Sequence, residues 1–224
     1  MPSSATQRVH EPSPPESGGR KPKGRGYERR EEILDAAVRL FVEHGFANVS
    51  TRRIADALGI SQTTLYVYFP TKDAILEAMC DQCFARLVAS FQLVLAEAGT
   101  SLEQLRRLMR AYVQFGLEHS DQYRIAFMTE QVHMRDKSEF LNALPHEQPP
   151  GIQCFHLLQD HIARLSDENQ LRFDPALVAQ CLWSAGHGLV ALLITMPSFP
   201  WAPREELIER MLDILLEGVL GNRR

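Results

Sequence analysis

Residues 50–72 read STRRIADALGISQTTLYVYFPTK, and the order of polar, apolar and glycine positions in this stretch decides the fold. Ser50 or Thr51 is the predicted N-cap of a first short helix and Ser61 that of a second, because these residue types cap helix N-termini. Each cap precedes a short pattern of apolar residues at helical spacing. Gly59 lies between the two patterns and favours a tight turn. The stretch therefore predicts two short helices joined by a turn, which is a helix-turn-helix.

The chain on both sides of this stretch also has helical patterns. Before it, a helix is predicted from Glu28 to a stop at Gly45. After it, longer helices are predicted over about 73–98, 101–118, 121–132, 151–165, 174–196 and 203–220. No alternating pattern indicates a strand. The sequence therefore predicts an all-α fold, with an N-terminal three-helix domain at 28–72 and a larger helical domain at 73–224.

Capping residues mark the starts of three of the longer helices. Ser101 with Gln104 predicts a capping box. Asp174 predicts an N-cap followed by proline at the first helical position, and Pro203 predicts the first residue of the last helix.

The charge of the chain is divided unevenly between these two domains. The sequence has 24 Lys and Arg against 28 Asp and Glu, and the formal net charge of -4 by itself argues against a nucleic-acid partner. Residues 1–72, however, hold 11 basic and 8 acidic residues, whereas residues 73–224 hold 13 and 20. This asymmetry indicates that the N-terminal part meets a polyanion.

Residues 1–27 are rich in Pro, Gly and Ser and have almost no large apolar side chain, so we expect a disordered arm. The segment at 19–26, GRKPKGRG, is basic. It is compatible with a flexible arm in an A·T-rich minor groove, and the alternative is a solvated tail.

The second helix of the helix-turn-helix predicts a surface that reads DNA. Leu65 and Phe69 are spaced to pack inward, which leaves Gln62 outward to pair with adenine. Lys72, just beyond this helix, is expected to bind a phosphate. The predicted DNA-binding residues are Thr51, Arg52, Arg53, Gln62, Thr63, Thr64, Tyr66, Val67, Tyr68 and Lys72.

The residues at 51–55, 58–61 and 65–72, followed by Ile75 and Leu76, resemble the TetR family of transcriptional repressors. The resemblance implies a three-helix DNA-binding domain, a larger ligand-binding domain, and a homodimer on a palindromic operator in double-stranded DNA. That family often has Gly at the position of Thr63 and His at that of Val67 or Tyr68. The operator sequence is therefore not implied.

Between Pro175 and Pro203 the chain has no Asp, Glu, Lys or Arg. The helix predicted here is long enough for a membrane, but its polar and small residues favour burial by its own domain and by a partner. Trp183 and His187-Gly188 resemble the W-x-x-x-H-G signature of one C-terminal class of the TetR family, which implies a dimer interface. His187 also suits a ligand contact, a metal ligand or a satisfied core histidine. The predicted dimer-interface residues are Trp183, His187, Gly188, Leu207, Met211 and Leu215.

Aromatic and apolar side chains of the larger domain predict a pocket for an apolar or aromatic small molecule. The candidates are Phe84, Met109, Tyr112, Phe115, Tyr123, Phe127, Met128, His133 and Phe155. We expect this effector to release the repressor from its operator by favouring a dimer with wrongly spaced reading helices.

Cys80 and Cys83 support an alternative hypothesis, a regulator that responds to oxidants or metals. Four cysteines and no secretory signal favour reduced thiols and a cytoplasmic location. The sequence shows no phosphate loop and no nucleophile motif. We therefore expect no enzyme activity, no cofactor and no metal.

Overall fold

The structure is a computed structural model that describes residues 26–129, 148–168 and 171–221. Within these ranges the chain forms α-helices, one 3-10 turn at Phe46–Asn48 and an isolated β-bridge between Leu171 and Leu220. The all-α prediction is confirmed. The helices are α1 (Gly26–His44), α2 (Thr51–Ala57), α3 (Gln62–Tyr68), α4 (Lys72–Ala96), α5 (Ser101–Glu118), α6 (Ser120–Met128), α7 (Pro150–Asp167), α8 (Pro175–Thr195) and α9 (Arg204–Val219).

The helix-turn-helix is built by the residues that predict it. The Ser50 side chain accepts a hydrogen bond from the backbone N–H of Arg53 at 3.2 Å, and Ser61 accepts one from Thr64 at 3.0 Å. Gly59 between them has φ of 62°, in the left-handed region where a Cβ is disfavoured. The two caps therefore fix where α2 and α3 begin, and the turn at Gly59 ends α2.

The N-terminal domain packs α1 against α2, the 3-10 turn and α4. Leu65 of α3 and Ile54 of α2 are fully buried, and Phe69 is nearly so. The inward positions predicted for Leu65 and Phe69 are confirmed. Their burial holds α3 on α2 and turns the opposite face of α3 outward.

The C-terminal domain is a bundle in which α5 packs on α4, α6, α7, α8 and α9. Helix α4 also packs on α6 and α7. Because α4 begins directly after the helix-turn-helix and α6 packs on α1, two helices of this domain also contact the N-terminal domain.

Three predicted boundaries are corrected by the structure. Helix α1 begins at Gly26, inside the expected arm at 1–27, and residues 1–25 lie outside the described ranges. The capping box of α5 is formed by Thr100 and Glu103, one residue before the predicted pair, because a carboxylate in the first turn is favoured by the helix dipole. Pro203 precedes α9 as its N-cap, so the helix starts at Arg204.

Helices α4 and α8 are each long and apolar enough to cross a membrane by length and composition alone. A core helix of a soluble protein passes the same test. Here α8 packs on α5 and α7, and α4 packs on four other helices. Both apolar helices thus pack on other helices of the same protein.

Candidate nucleic-acid interface and an apolar cavity

The outer face of α3 is uncharged and exposed. Thr63 and Thr64 are exposed, Tyr66 keeps 46% of its surface, and the apolar side chain of Val67 keeps 78%. An apolar side chain this exposed on a short helix suits contact with a thymine methyl group. Thr63, Tyr66 and Val67 are exposed as predicted, whereas Gln62, also predicted to lie outward, is half-buried.

A cluster of hydrogen bonds joins α3 to the start of α2. The Gln62 amide donates to the Thr51 hydroxyl at 2.9 Å and to the Tyr66 hydroxyl at 2.8 Å, and the two hydroxyls lie 3.2 Å apart. Gln62 is half-buried by these contacts. The cluster orients the Gln62 amide in the absence of DNA. A contact between this amide and a base would replace its hydrogen bonds to Thr51 and Tyr66.

Basic side chains flank this face. Arg52 is exposed over 81% of its side chain and approaches Asp56 only to 3.9 Å, which leaves its guanidinium open to a phosphate. The Arg53 guanidinium contacts the His44 ring at 2.6 Å. Both arginines lie in the first turn of α2, where the helix dipole also favours an anion.

Lys72 has contacts within the protein that local sequence patterns do not reveal. Its ammonium donates to the Phe46 carbonyl at 2.8 Å and lies 4.2 Å from the centre of the Phe46 ring. Lys72 therefore joins the start of α4 to the 3-10 turn after α1. Its role as a phosphate ligand stays a prediction.

Thr64 and Tyr68, also predicted to bind DNA, contact other residues of the N-terminal domain. The Thr64 hydroxyl lies 2.8 Å from that of the N-cap Ser61. Tyr68 is half-buried and packs against the core. Neither side chain extends from the centre of the outer face as Val67 does.

A cavity of about 330 Å³ lies among α4, α5, α6, α7 and α8. Its lining is apolar and aromatic. It is lined by Phe84, Leu87, Phe91, Met109, Tyr112, Ala126, Phe127, Gly151, Ile152, Cys154, Phe155, Leu158 and Trp183.

Five of the predicted pocket residues line this cavity: Phe84, Met109, Tyr112, Phe127 and Phe155. Three others do not. Phe115 packs its ring on His119 at 4.7 Å, Tyr123 is fully buried behind the lining, and Met128 is 38% exposed at the end of α6. The prediction for His133 falls outside the described residues.

A buried polar network lies beside the cavity. The hydroxyls of Tyr112 and Tyr123 are 2.8 Å apart, and the Tyr123 hydroxyl lies 2.7 Å from His187 Nδ1. Burial raises the pKa of both tyrosines well above the ordinary value, and both stay neutral. His187 thus packs inward on Tyr123, with ring centres 5.7 Å apart. The network connects a cavity residue of α5 to α8 through α6.

Helix α8 presents a stripe of small and apolar residues to solvent. Leu177 and Leu192 are 53% and 44% exposed, and Gly188 lies between them on the same face. A Cβ built at Gly188 meets nothing within 4 Å. Trp183, predicted at the dimer interface, is 40% exposed and also lines the cavity, where its ring packs on Phe155.

Helix α9 has a comparable outward face. Ile214 is 71% exposed, although it is a large apolar residue. Leu207, Met211 and Leu215 are half-buried and pack partly on the core. An exposed apolar stripe on a helix is typical of a surface that another protein covers.

The cysteines of the alternative hypothesis are poorly placed for reaction. Cys80 and Cys83 are both buried, and burial raises the pKa of the Cys83 thiol to about 12. A buried, protonated thiol is a weak nucleophile and a poor metal ligand. Among the described residues no three His, Cys, Asp or Glu side chains come together as a metal site.

The fold and the outer face of α3 define this protein as a helix-turn-helix protein with a second, larger helical domain that encloses an apolar cavity. Sequence comparison agrees with that class. Residues 33–79 match the sequence family described as "Bacterial regulatory proteins, tetR family". Residues 105–215 match the family described as "Tetracyclin repressor-like, C-terminal domain". The two matches together span more than two thirds of the chain, which belongs to the TetR family of DNA-binding transcriptional regulators.

Individual relatives are more distant. The chain is 29% identical to the HTH-type transcriptional repressor KstR2 of Mycolicibacterium smegmatis over 112 residues, 50% of this chain and 54% of that protein. It is 28% identical to the nucleoid occlusion factor SlmA of Vibrio vulnificus over 149 residues, 64% of this chain and 69% of that protein. The chain thus spans only about half the length of KstR2.

Solved structures have the same fold. The ketosteroid transcriptional regulator KstR2 of Mycobacterium tuberculosis superimposes with a TM-score of 0.64 over 87% of this chain and 96% of that chain, at 21% identity. At this identity the likeness concerns the fold alone.

Proposed function

We propose that this protein is a homodimeric transcriptional repressor that dissociates from a palindromic operator when an apolar or aromatic small molecule enters the cavity. The observation that carries the proposal is the uncharged, exposed face of α3 beside the open guanidinium of Arg52. Such a face combines base reading with phosphate binding. Family membership supports the DNA-binding part of the proposal.

Residues of the reading face divide into two roles. Gln62, Thr63 and Val67 contact base edges, because they are uncharged and lie on or beside the exposed face of α3. Arg52 and Tyr66 contact phosphates, because both extend outward near the start of α2. The first group sets the sequence preference and the second sets the overall affinity.

The protein acts as a dimer, because one short helix contacts few base pairs. Two copies of α3 about 34 Å apart reach successive major grooves on one side of the duplex. The apolar stripes on α8 and α9 supply the surface that a second copy covers, as in a four-helix bundle between subunits. The twofold symmetry of such a dimer implies a palindromic operator.

Helices α4 and α6 connect the cavity to the N-terminal domain, so they transmit the effect of ligand binding to α3. Phe84, Leu87 and Phe91 of α4 and Phe127 of α6 line the cavity. Helix α4 starts directly after α3, and α6 packs on α1. We expect the dimer to have two states that differ in the spacing of its two α3 helices. A ligand that binds more tightly to the state with the wrong spacing shifts the dimer toward that state and lowers operator affinity. Such a regulator works where the chromosome is, which places it in the cytoplasm.

Selection of bound sequences from a random DNA pool tests this proposal without knowledge of the target genes. The wild-type protein should enrich a palindrome. Gln62→Ala should change the preferred bases, whereas Arg52→Ala should weaken all selected sequences about equally. Arg86→Ala removes the same charge from the exposed side of α4 and is the matched control. Enrichment of no sequence, or equal behaviour of Arg52→Ala and Arg86→Ala, would contradict the proposed interface.

A further inference from the structure

The size of the cavity indicates how much of a ligand it can bury. Its volume of about 330 Å³ is roughly twice that of a 150 Å³ cavity that binds benzene. By this ratio the cavity accommodates roughly ten to fifteen non-hydrogen atoms. This corresponds to a molecule of two fused or linked rings, or a chain of similar volume.

The described part of the lining offers no opposite charge to a charged ligand. None of the described residues that form the cavity wall is Asp, Glu, Lys, Arg or His. A carboxylate or ammonium group entering it would lose its hydration without gaining an opposite charge, which is strongly unfavourable. The ligand is therefore neutral inside the cavity.

A few side chains supply the hydrogen-bonding capacity of the described wall. Tyr112 and Trp183 both line the cavity, and their side chains supply a hydroxyl group and an indole N–H. The thiol of Cys154 also lies on the wall. The other lining side chains are hydrocarbon, apart from the thioether of Met109. Among the described residues, the polar groups of the wall are thus those of Tyr112, Trp183 and Cys154, and the rest of the wall is apolar.

The Tyr112 hydroxyl is held in place from behind. It lies 2.8 Å from the Tyr123 hydroxyl, which in turn lies 2.7 Å from His187 Nδ1. A tyrosine hydroxyl can donate one hydrogen bond and accept two. Its bond to Tyr123 uses one of these three positions and leaves capacity for a group in the cavity.

Either proton order in the network is compatible with a ligand hydroxyl. If Tyr112 donates to Tyr123, its oxygen can accept from the ligand. If Tyr123 donates to Tyr112, the Tyr112 proton points to the ligand. A hydroxyl group both donates and accepts, so it satisfies Tyr112 in both cases.

We infer that the effector is a neutral, largely hydrophobic molecule of roughly ten to fifteen non-hydrogen atoms that carries one hydroxyl group bound to Tyr112. This rests on the proposed function only in taking the cavity as the effector site. Tyr112 determines specificity, and Tyr123 and His187 position it.

Calorimetric titration of the full chain with three probes tests this inference. The probes are 2-naphthol, naphthalene and 2-naphthoate, which share one ring system and differ in the polar group. One net hydrogen bond predicts that 2-naphthol binds roughly fivefold tighter than naphthalene. The carboxylate should bind at least about tenfold more weakly than 2-naphthol.

Tyr112→Phe removes the hydroxyl and keeps the ring. It should bring 2-naphthol and naphthalene to within about twofold of each other without weakening naphthalene. Tyr27→Phe removes the same group from an exposed site at the start of α1, where Tyr27 is 74% exposed, and should leave the preference intact. If Tyr112→Phe does not fold, the probe series on the wild-type protein still decides.

Several outcomes would overturn the inference: equal binding of 2-naphthol and naphthalene, tightest binding of 2-naphthoate, a preference that survives Tyr112→Phe, or no binding of any probe. A mobility shift with operator DNA on the same preparation separates this failure from failure of the proposed function. If the protein binds DNA but shows no preference among the probes, only the inferred ligand class is rejected. If the protein binds no DNA, the proposed function as a transcriptional regulator is rejected.

Discussion

Replacement of Gly188 by arginine separates the stability of one subunit from that of the dimer. Gly188 lies on the exposed stripe of α8 between Leu177 and Leu192, and a Cβ there meets nothing within 4 Å. An arginine at this position therefore has room in the single subunit. It lacks room if a second copy covers the stripe.

The two effects differ in sign and size. Within the subunit the substitution favours α8 by about 1 kcal/mol, because glycine is the poorer helix former. In a twofold dimer the new side chain is present twice. If each unpaired guanidinium costs about 2 kcal/mol on burial, the dimer loses about 4 kcal/mol, which corresponds to a roughly 1000-fold weaker association.

Sedimentation velocity over a range of protein concentrations measures this change, and thermal melting of the dilute protein checks the fold. Ala85→Arg, on the exposed side of α4, introduces the same side chain away from the stripe and is the control. Gly188→Arg should yield folded monomers where wild type and Ala85→Arg remain dimers. An unchanged dimer constant for Gly188→Arg would refute the assignment of this stripe to the interface.

Three further predictions test the packing and chemistry. Gly116→Ala should lower the free energy of unfolding by about 1–3 kcal/mol in urea titrations, since its Cβ would lie 2.6 Å from a methyl group of α8. Lys72→Met should lower the stability of the N-terminal domain by about 2 kcal/mol, measured by hydrogen exchange, because it loses the Phe46 carbonyl and ring. Cys83, with its pKa raised to about 12, should resist a thiol reagent at neutral pH that modifies exposed Cys181, and should react only as pH rises toward 12.

The helix-turn-helix could be predicted from sequence because its determinants are local. Ser50, Gly59 and Ser61 act on backbone groups within four residues. Both partners of each interaction therefore lie in the same short stretch of sequence. The same holds for Asp174, whose side chain caps α8 as predicted. Elements of this kind need no knowledge of the tertiary structure.

The start of α5 shows how a local pattern can still mislead by one residue. The segment Thr100-Ser101-Leu102-Glu103-Gln104 contains two overlapping capping boxes, one ending in Glu and one in Gln. The structure uses Thr100 and Glu103, and hydrogen bonds from Thr100 lower the pKa of the Glu103 carboxyl. The negative charge near the helix start distinguishes the two boxes.

The contacts of site residues that sequence patterns do not reveal are those with distant partners. Lys72 meets Phe46, which is 26 residues away, and His187 meets Tyr123, which is 64 residues away. Periodicity shows only that a residue lies on a buried or exposed face. It does not show whether His187 faces a second subunit or a tyrosine. The charge-free composition around His187 was the available signal, and it is compatible with both.

The measurement that tests the central claim most directly is a mobility shift of the purified protein on DNA from upstream of its own gene, repeated at salt concentrations from about 50 to 200 mM. The account predicts a specific complex of one dimer per palindrome that weakens steeply as salt rises, with a smaller salt slope for Arg52→Ala. Failure to shift any upstream fragment at the lowest salt, with folded protein, would contradict the account.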